Sequence, residues 1–252
     1  MDKLSDTFII GRKPVLDALD SNSGIEKVWI DSSIKGELEV NVRKMTKSKN
    51  IPLQYVPKEK LQSLSNQANH QGLIAQISIV DYVQIEQVLP HLYESGKTPF
   101  ILVLDGIEDV RNIGALARSA VWFDVDAIVV SSKNSARINS FAMKSSAGAI
   151  KDVVICREPS IVNALKYMSS SGLQILVADS NETQIENKIN YKEPLALVMG
   201  SEGKGVVREV LQLANAVFTI PGSGKVESLN VSVAGAIMMH TVFTQRIDQA
   251  GQ

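Results

Sequence analysis

From residue 100 onward the chain carries six short, almost continuous apolar runs: Phe100–Leu104, Ala127–Val130, Val153–Ile155, Leu173–Val177, Leu195–Met199 and Ala216–Ile220. Stretches of helical period separate them, the first from about Ile113 to Phe123. Strands that are apolar on both sides must be covered on both faces, and a parallel sheet with crossover helices does this. Residues 99–252 therefore read as one α/β domain. At 44% hydrophobic and 21% charged residues, the 252-residue chain is globular in composition, which excludes disordered and fibrous classes.

Residues 1–80 alternate differently. Lys27–Ile30, Leu53–Val56 and Leu73–Ile77 read as strands, and Pro14–Leu19 and Lys35–Ser48 as helices. This segment holds 11 Lys+Arg against 9 Asp+Glu. Arg43, Lys44, Lys47 and Lys49 concentrate charge on one helical stretch, either as a solvated face or as a contact for nucleic-acid phosphates. Residues 81–98 show weak periodicity and end in Ser95-Gly96-Lys97-Thr98-Pro99, so they read as a linker.

The formal net charge of −1 excludes a histone-like basic protein without excluding a local basic surface. The single cysteine, Cys156, cannot form an internal disulfide, fits a reducing compartment, and reads as a small buried hydrophobe. His70, His91 and His240 lack metal-ligand spacing to one another or to Cys156, so no metal site is expected. The N-terminus has no apolar signal region, and the longest uncharged apolar stretch, 231–244, is shorter than the roughly 18–20 residues a spanning helix needs. The expectation is a cytoplasmic protein without membrane attachment.

In open α/β sheets ligands bind beyond the carboxyl ends of the strands. Three loops there are rich in Gly, Asn, Ser and charge: 105–114, 200–205 and 221–230. Neither G-x-x-x-x-G-K-[ST] nor G-x-G-x-x-G fits any of them, so the two familiar phosphate-binding fingerprints are absent. The loops read either as tight turns or as backbone cradles for a nucleoside-like ligand, since glycine permits close backbone approach.

Three stretches in order, Asn112-x-Gly114-x-x-x-Arg118, then Leu197-Val198-Met199-Gly200-Ser201-Glu202-Gly203-Lys204-Gly205, then Ile220-Pro221 with Ser228-Leu229-Asn230-Val231-Ser232-Val233-Ala234, resemble the motifs of the SpoU (TrmH) RNA 2′-O-methyltransferases. The match covers about residues 100–245. Asn69-His70-Gln71-Gly72-Leu73-Ile74-Ala75 resembles the segment closing the small RNA-binding domain of the ribosomal-RNA members, itself similar to ribosomal proteins that bind kinked RNA. The resemblance implies a SPOUT-type parallel sheet with a C-terminal trefoil knot over 99–252, preceded by that α/β RNA-binding domain over 1–80. It also implies a homodimer formed through the knotted domain. S-adenosyl-L-methionine would be held at Gly200, Ile220 and Leu229.

The expected activity is 2′-O-ribose methylation of ribosomal RNA, most like the large-subunit (23S) guanosine enzyme. The alternatives are another rRNA nucleotide or a non-catalytic RNA-binding relative. A ribose hydroxyl is a poor nucleophile, and no histidine lies in the three motifs to serve as base. The resemblance gives Arg118 the task of orienting or activating that hydroxyl; a guanidinium stays protonated, which favours positioning and electrostatics. Asn112 would orient Arg118 or the ribose, Glu202 would fix the loops, and Ser228 and Asn230 would bind near the substrate. Asn112 and Asn230 each precede a helical pattern and also read as helix caps. His70 reads as a turn residue or an RNA contact. Lys225 and Glu227, in a loop where small residues would serve, depart from the family's pattern.

Overall fold

A computed structural model describes residues 8–21, 24–49, 51–132, 135, 138–179, 189–201, 203 and 205–247. It divides into two compact units, Met1–Ile79 and Val80–Gln252.

The N-terminal unit is a four-stranded sheet of β1 (Phe8–Ile10), β2 (Ile25–Asp31), β3 (Leu53–Val56) and β4 (Leu73–Ile77), in the order β1-β4-β2-β3. Strand β2 runs parallel to β3 and antiparallel to β4. Helices α1 (Arg12–Asp20), α2 (Glu37–Ser48) and α3 (Lys58–Leu64) complete it. Alternation on β2 sends Val28 and Ile30 into one cluster with Val15, Leu19 and Val42, and Trp29 into another with Leu61 and Ile74. Two elements escape the sequence reading. Strand β1 has only three residues, and α3 has one fully buried side chain, Leu61.

The basic stretch on α2 is partly committed. The Lys49 ammonium donates to the carbonyls of Leu19 and Asp20 at the end of α1, and Arg43 pairs with Glu39. Lys44 and Lys47 remain exposed on the helix surface.

In the C-terminal unit lie β5 (Tyr82–Val83), α4 (Ile85–Glu94), β6 (Phe100–Leu104), α5 (Val110–Trp122), β7 (Ala127–Ser131), α6 (Ser140–Ser145) and β8 (Val154–Glu158). They are followed by α7 (Ile161–Ser170), β9 (Gln174–Ala178), β10 (Leu195–Met199), α8 (Arg208–Leu211), β11 (Ala216–Phe218) and α9 (Val231–Ile247). The seven strands order as β11-β9-β10-β6-β7-β8-β5, and every neighbouring pair is parallel. The central strands β6, β7 and β10 are buried along their whole length, as a doubly covered sheet requires. Cys156 is fully buried among apolar neighbours on β8, and burial pushes its thiol up to about 12.

The segment read as a linker, 81–98, is built into this unit. Strand β5 pairs with β8, and Ile85, Leu89 and Leu92 of α4 enter the core. A two-residue strand and a helix interrupted by Pro90 leave too little periodic pattern to read locally. Burial of the Glu158 carboxyl raises its pKa, and Glu158 Oε1 accepts from the Ile85 amide at 2.7 Å, fixing the start of α4.

At the other end of the chain, Arg246 is largely withdrawn from solvent. It donates to the carbonyls of Tyr191, Thr98, Pro99 and Glu193 and stacks on Phe100 at 5.1 Å. The C-terminal end of α9 is thereby tied to the segments entering β6 and β10.

Candidate functional site

The three motif loops leave the C-terminal ends of β6, β10 and β11. At β6, the chain turns at Gly106, whose φ of +74° favours glycine. It then enters α5 through Asp109, the N-cap, whose carboxylate accepts from the Arg111 amide at 2.8 Å and pairs with the Arg111 guanidinium. Asn112 is therefore the third helical residue and not the cap. Asn230 does cap α9, since its Oδ1 accepts from the Ser232 amide at 2.9 Å.

The two asparagines meet. Asn230 Nδ2 donates to Asn112 Oδ1 at 3.2 Å, across 118 residues of sequence. One side chain thus caps α9 with its oxygen and holds the first motif with its nitrogen.

Two close approaches support this junction. A Cβ on Gly114 would lie 1.9 Å from Ser145 Oγ and 2.6 Å from the Ala142 carbonyl, so α6 rests directly on the first turns of α5. A Cβ on Gly235 would lie 2.4 Å from Leu116 Cδ2, which sets α9 against α5. Both helix contacts depend on a missing methyl group.

The second motif folds into a tight loop. Ser201 and Gly205 exchange backbone hydrogen bonds at 3.0 and 2.9 Å. A Cβ on Gly200 would fall 2.3 Å from the Gly205 carbonyl carbon and 2.4 Å from the Val206 nitrogen. Glu202 and Lys204 lie outside the described residues. Asp105, at the end of β6, ties this loop to the first: its amide donates to Met199 O at 2.9 Å, and its Oδ2 accepts from the Val207 amide at 3.4 Å. Burial raises the pKa of Asp105, and the Val207 bond opposes this.

In the third motif, β11 ends at Phe218. The Thr219 hydroxyl donates to the Asp179 carbonyl, and Pro221 has no N–H with which to continue a ladder. Ile220 is half-buried two residues beyond the strand, and residues 221–230, with Ser228 and Leu229 among them, are all exposed.

Arg118 stands apart from the asparagine pair. Six residues after Asn112, about 9 Å further along the axis, it is exposed and makes no hydrogen bond or ion pair among the described residues. Trp122, four residues later on the same side of α5, is 79% exposed. The structure therefore joins Asn112 to Asn230 and stacks the Gly200 turn, but leaves Arg118, Ser228 and Leu229 on open surface.

Sequence reasoning passed over Asp105, Gly235 and Arg246. Asp105 was visible only as one more loop residue; the other two gain their roles from distant partners. Among the described residues there is no cluster of His, Cys, Asp and Glu suited to a metal ion, and no helix long and apolar enough to cross a membrane.

An all-parallel sheet with glycine-dependent loops gathered at its carboxyl edge is the architecture of a ligand-binding α/β protein. A model described as the SpoU rRNA Methylase family matches residues 99–240, and one described as RNA 2′-O ribose methyltransferase substrate binding matches residues 8–83. The chain belongs to the SpoU family of RNA 2′-O-ribose methyltransferases. It is 31% identical over 240 residues to a putative TrmH family tRNA/rRNA methyltransferase of Bacillus subtilis, covering 95% of this chain and 96% of that one. To the putative TrmH family tRNA/rRNA methyltransferase of Staphylococcus aureus it is 33% identical over 245 residues, with coverage of 97% and 98%.

Solved structures share the fold. An AdoMet-bound rRNA methyltransferase from Sinorhizobium meliloti superposes with a TM-score of 0.59 at 21% identity, over 94% of this chain and 86% of that one. The SpoU methyltransferase AviRb of Streptomyces viridochromogenes, in complex with AdoMet, gives 0.60 at 16% identity, over 96% and 90%.

Proposed function

We infer that this chain transfers a methyl group from S-adenosyl-L-methionine to a ribose 2′-hydroxyl of ribosomal RNA, with a guanosine of the large-subunit (23S) RNA as the preferred target. The single observation that carries this reading is the Asn112–Asn230 hydrogen bond. It joins the first and third motifs, and Asp105 ties the first motif's loop to the Gly200 turn.

The cofactor supplies an electrophilic methyl group on a sulfonium. The residues present fit such a molecule. Gly200 lets the backbone of the second loop close on itself, the residues of the 221–230 loop are exposed to a ligand, and Ile220 and Leu229 add apolar surface. Ser228 and Asn230 would hydrogen-bond the ribose, and Glu202 would brace the second loop. Arg118 would hold the attacking hydroxyl and stabilise its developing negative charge while remaining protonated. Positioning is the larger contribution, because a poor nucleophile gains most from being held at reaction distance.

The same reading makes the protein a homodimer through its C-terminal unit. Trp122 on α5, and Val233 and Ile237 on α9, are exposed apolar side chains on two helices that pack together. Association there would place Arg118, one turn from Trp122, at the subunit boundary. Residues 1–80 would bind the RNA.

The test is methyl transfer from labelled S-adenosylmethionine to deproteinised ribosomal RNA and, separately, to transfer RNA, with ribose methylation mapped in a deletion strain. Transfer to tRNA alone would overturn the target, and no transfer to either would overturn the activity. Light scattering reads the dimer.

A further inference from the structure

Of the five non-glycine residues with positive φ among the described residues, three fall in one turn between α3 and β4: Asn66 at 50°, Gln67 at 69° and Gln71 at 49°. Asparagine tolerates this region; glutamine gains nothing there, so two of the three are strained. Strain of this kind costs on the order of 1–3 kcal/mol per residue and persists where the surroundings enforce it, commonly at sites that bind something.

The surroundings do enforce it. Ser65 Oγ donates to the Ala68 carbonyl at 3.0 Å, and the Gln67 amide donates to the Gln62 carbonyl at 2.9 Å. His70 is buried, and its Nδ1 accepts from the Gly72 amide at 2.9 Å, which settles the histidine as a turn residue. The Gly72 carbonyl accepts from the Asp31 amide at 2.9 Å, and a Cβ on Gly72 would meet Ile34 Cδ1 at 2.3 Å. The turn is thus rigid from below.

Its outer surface is a row of unused donors and acceptors. Asn66, Gln67 and Asn69 are exposed, and their side-chain amides make no hydrogen bond among the described residues. Arg12 lies alongside: its Nε donates to the Gln71 carbonyl at 2.9 Å, and its own amide donates to Gln71 Oε1 at 3.2 Å. The Nε bond fixes the guanidinium plane, and among the described residues the two terminal nitrogens have no partner, which leaves them for an anion. Lys13 is exposed next to it. The neighbouring acid, Asp31, is already occupied, with its carboxylate accepting from the Ser33 amide and hydroxyl.

We propose that the 65–72 turn and Arg12 form the surface with which the N-terminal unit reads RNA, the amides bonding the base edges of an unpaired segment and the Arg12 fork gripping an adjacent phosphate. The proposal rests on the RNA-methylating reading above and names the element that selects the substrate. Amides suit exposed base edges because they donate and accept side by side, and unpaired RNA presents such edges. A prefixed guanidinium suits a phosphate because its N–H donors form a planar fork. The left-handed backbone at Asn66, Gln67 and Gln71 then has a purpose: it holds outward side chains that a glycine turn would lack.

The experiment measures binding of deproteinised 23S ribosomal RNA and of total tRNA to the full chain at several salt concentrations, together with thermal melting. Arg12→Ala should weaken RNA binding about tenfold and lower the log–log salt slope by about one, as loss of one phosphate contact requires. Arg12→Lys should recover the slope but not the full affinity. Gln67→Gly should melt at a higher temperature, since strain is relieved, and still bind RNA at least about threefold more weakly; a merely structural role would move stability and affinity in the same direction. S-adenosylmethionine affinity should stay constant in all three. RNA binding within twofold of wild type in both Arg12→Ala and Gln67→Gly overturns the surface. Wild-type protein that binds RNA through this turn but transfers no methyl group would instead sink the catalytic reading and leave the surface standing.

Discussion

In the C-terminal unit the tight places are left to glycine. A Cβ at Gly114, Gly200 or Gly235 would come within 2.4 Å of a neighbouring atom. In the N-terminal unit the left-handed positions at Asn66, Gln67 and Gln71 keep full side chains, and of its glycines only Gly72 stands where a Cβ would clash. The difference lies in what each region must bring together. Around the strand ends, backbone has to meet backbone: the second loop on itself, α6 on α5, α9 on α5. At the N-terminal turn, side chains have to be displayed, and the backbone is bent to display them.

The comparison breaks most visibly at Gly200. Gly200→Val would force the Gly205–Val206 backbone away, so S-adenosylmethionine binding should fall by at least about a hundredfold while the C-terminal unit stays folded. Calorimetry on a protein with native circular dichroism checks this; undiminished affinity would remove Gly200 from the cofactor site. Overpacking of this kind costs typically about 1–3 kcal/mol, within what a domain of this size survives.

Arg118 sets the next largest effect. Removal of one preorganised charge-stabilising donor typically costs about 10²–10³ in rate. Arg118→Ala should bind S-adenosylmethionine normally, transfer methyl at least about a hundredfold more slowly and leave KM nearly unchanged. Single-turnover transfer within a few-fold of wild type would make Arg118 a surface residue only.

Gly235→Ala sharpens the comparison without touching the chemistry. Its Cβ meets the end of a leucine side chain rather than backbone, so the cost should sit near the lower end of about 1–3 kcal/mol. Denaturant unfolding reads it. A loss as large as that of Gly200→Val would mean that α9 cannot shift against α5.

The smallest effect concerns Asp105. Burial raises its folded-state pKa, so its protonated form favours the fold, and that stability is full below the unfolded pKa and lost as pH rises through the folded value. Asp105→Asn, neutral at every pH and still able to accept from Val207, should melt slightly above wild type at pH 7. The gap should close toward about pH 4, the ordinary carboxylate range. A variant less stable than wild type at pH 7 would show that the Val207 bond outweighs burial.

Much of this was legible in the sequence because it is local. The apolar runs announce a covered parallel sheet, and strands β6, β7 and β10 lie where those runs do. The motif loops fall at strand ends because turn residues punctuate the pattern there. Where local pattern thins, sequence reading failed: β1 and β5 are too short to alternate, and Pro90 masks α4 as a linker. Asn112 looked like a cap because its helix starts one turn later by apolar period than by hydrogen bonding, Asp109 being the true cap.

The sequence by itself determined the class of sheet, the order of its motifs and the residue types at its edge, since hydrophobic period and turn chemistry act over a few neighbours. Only the tertiary structure decided that Asn230 reaches Asn112, that Arg246 binds four carbonyls from two distant segments, and that Gly235 admits Leu116. Those facts depend on which surfaces come within hydrogen-bond or van der Waals reach after the chain has folded, and no window of neighbouring residues contains that distance.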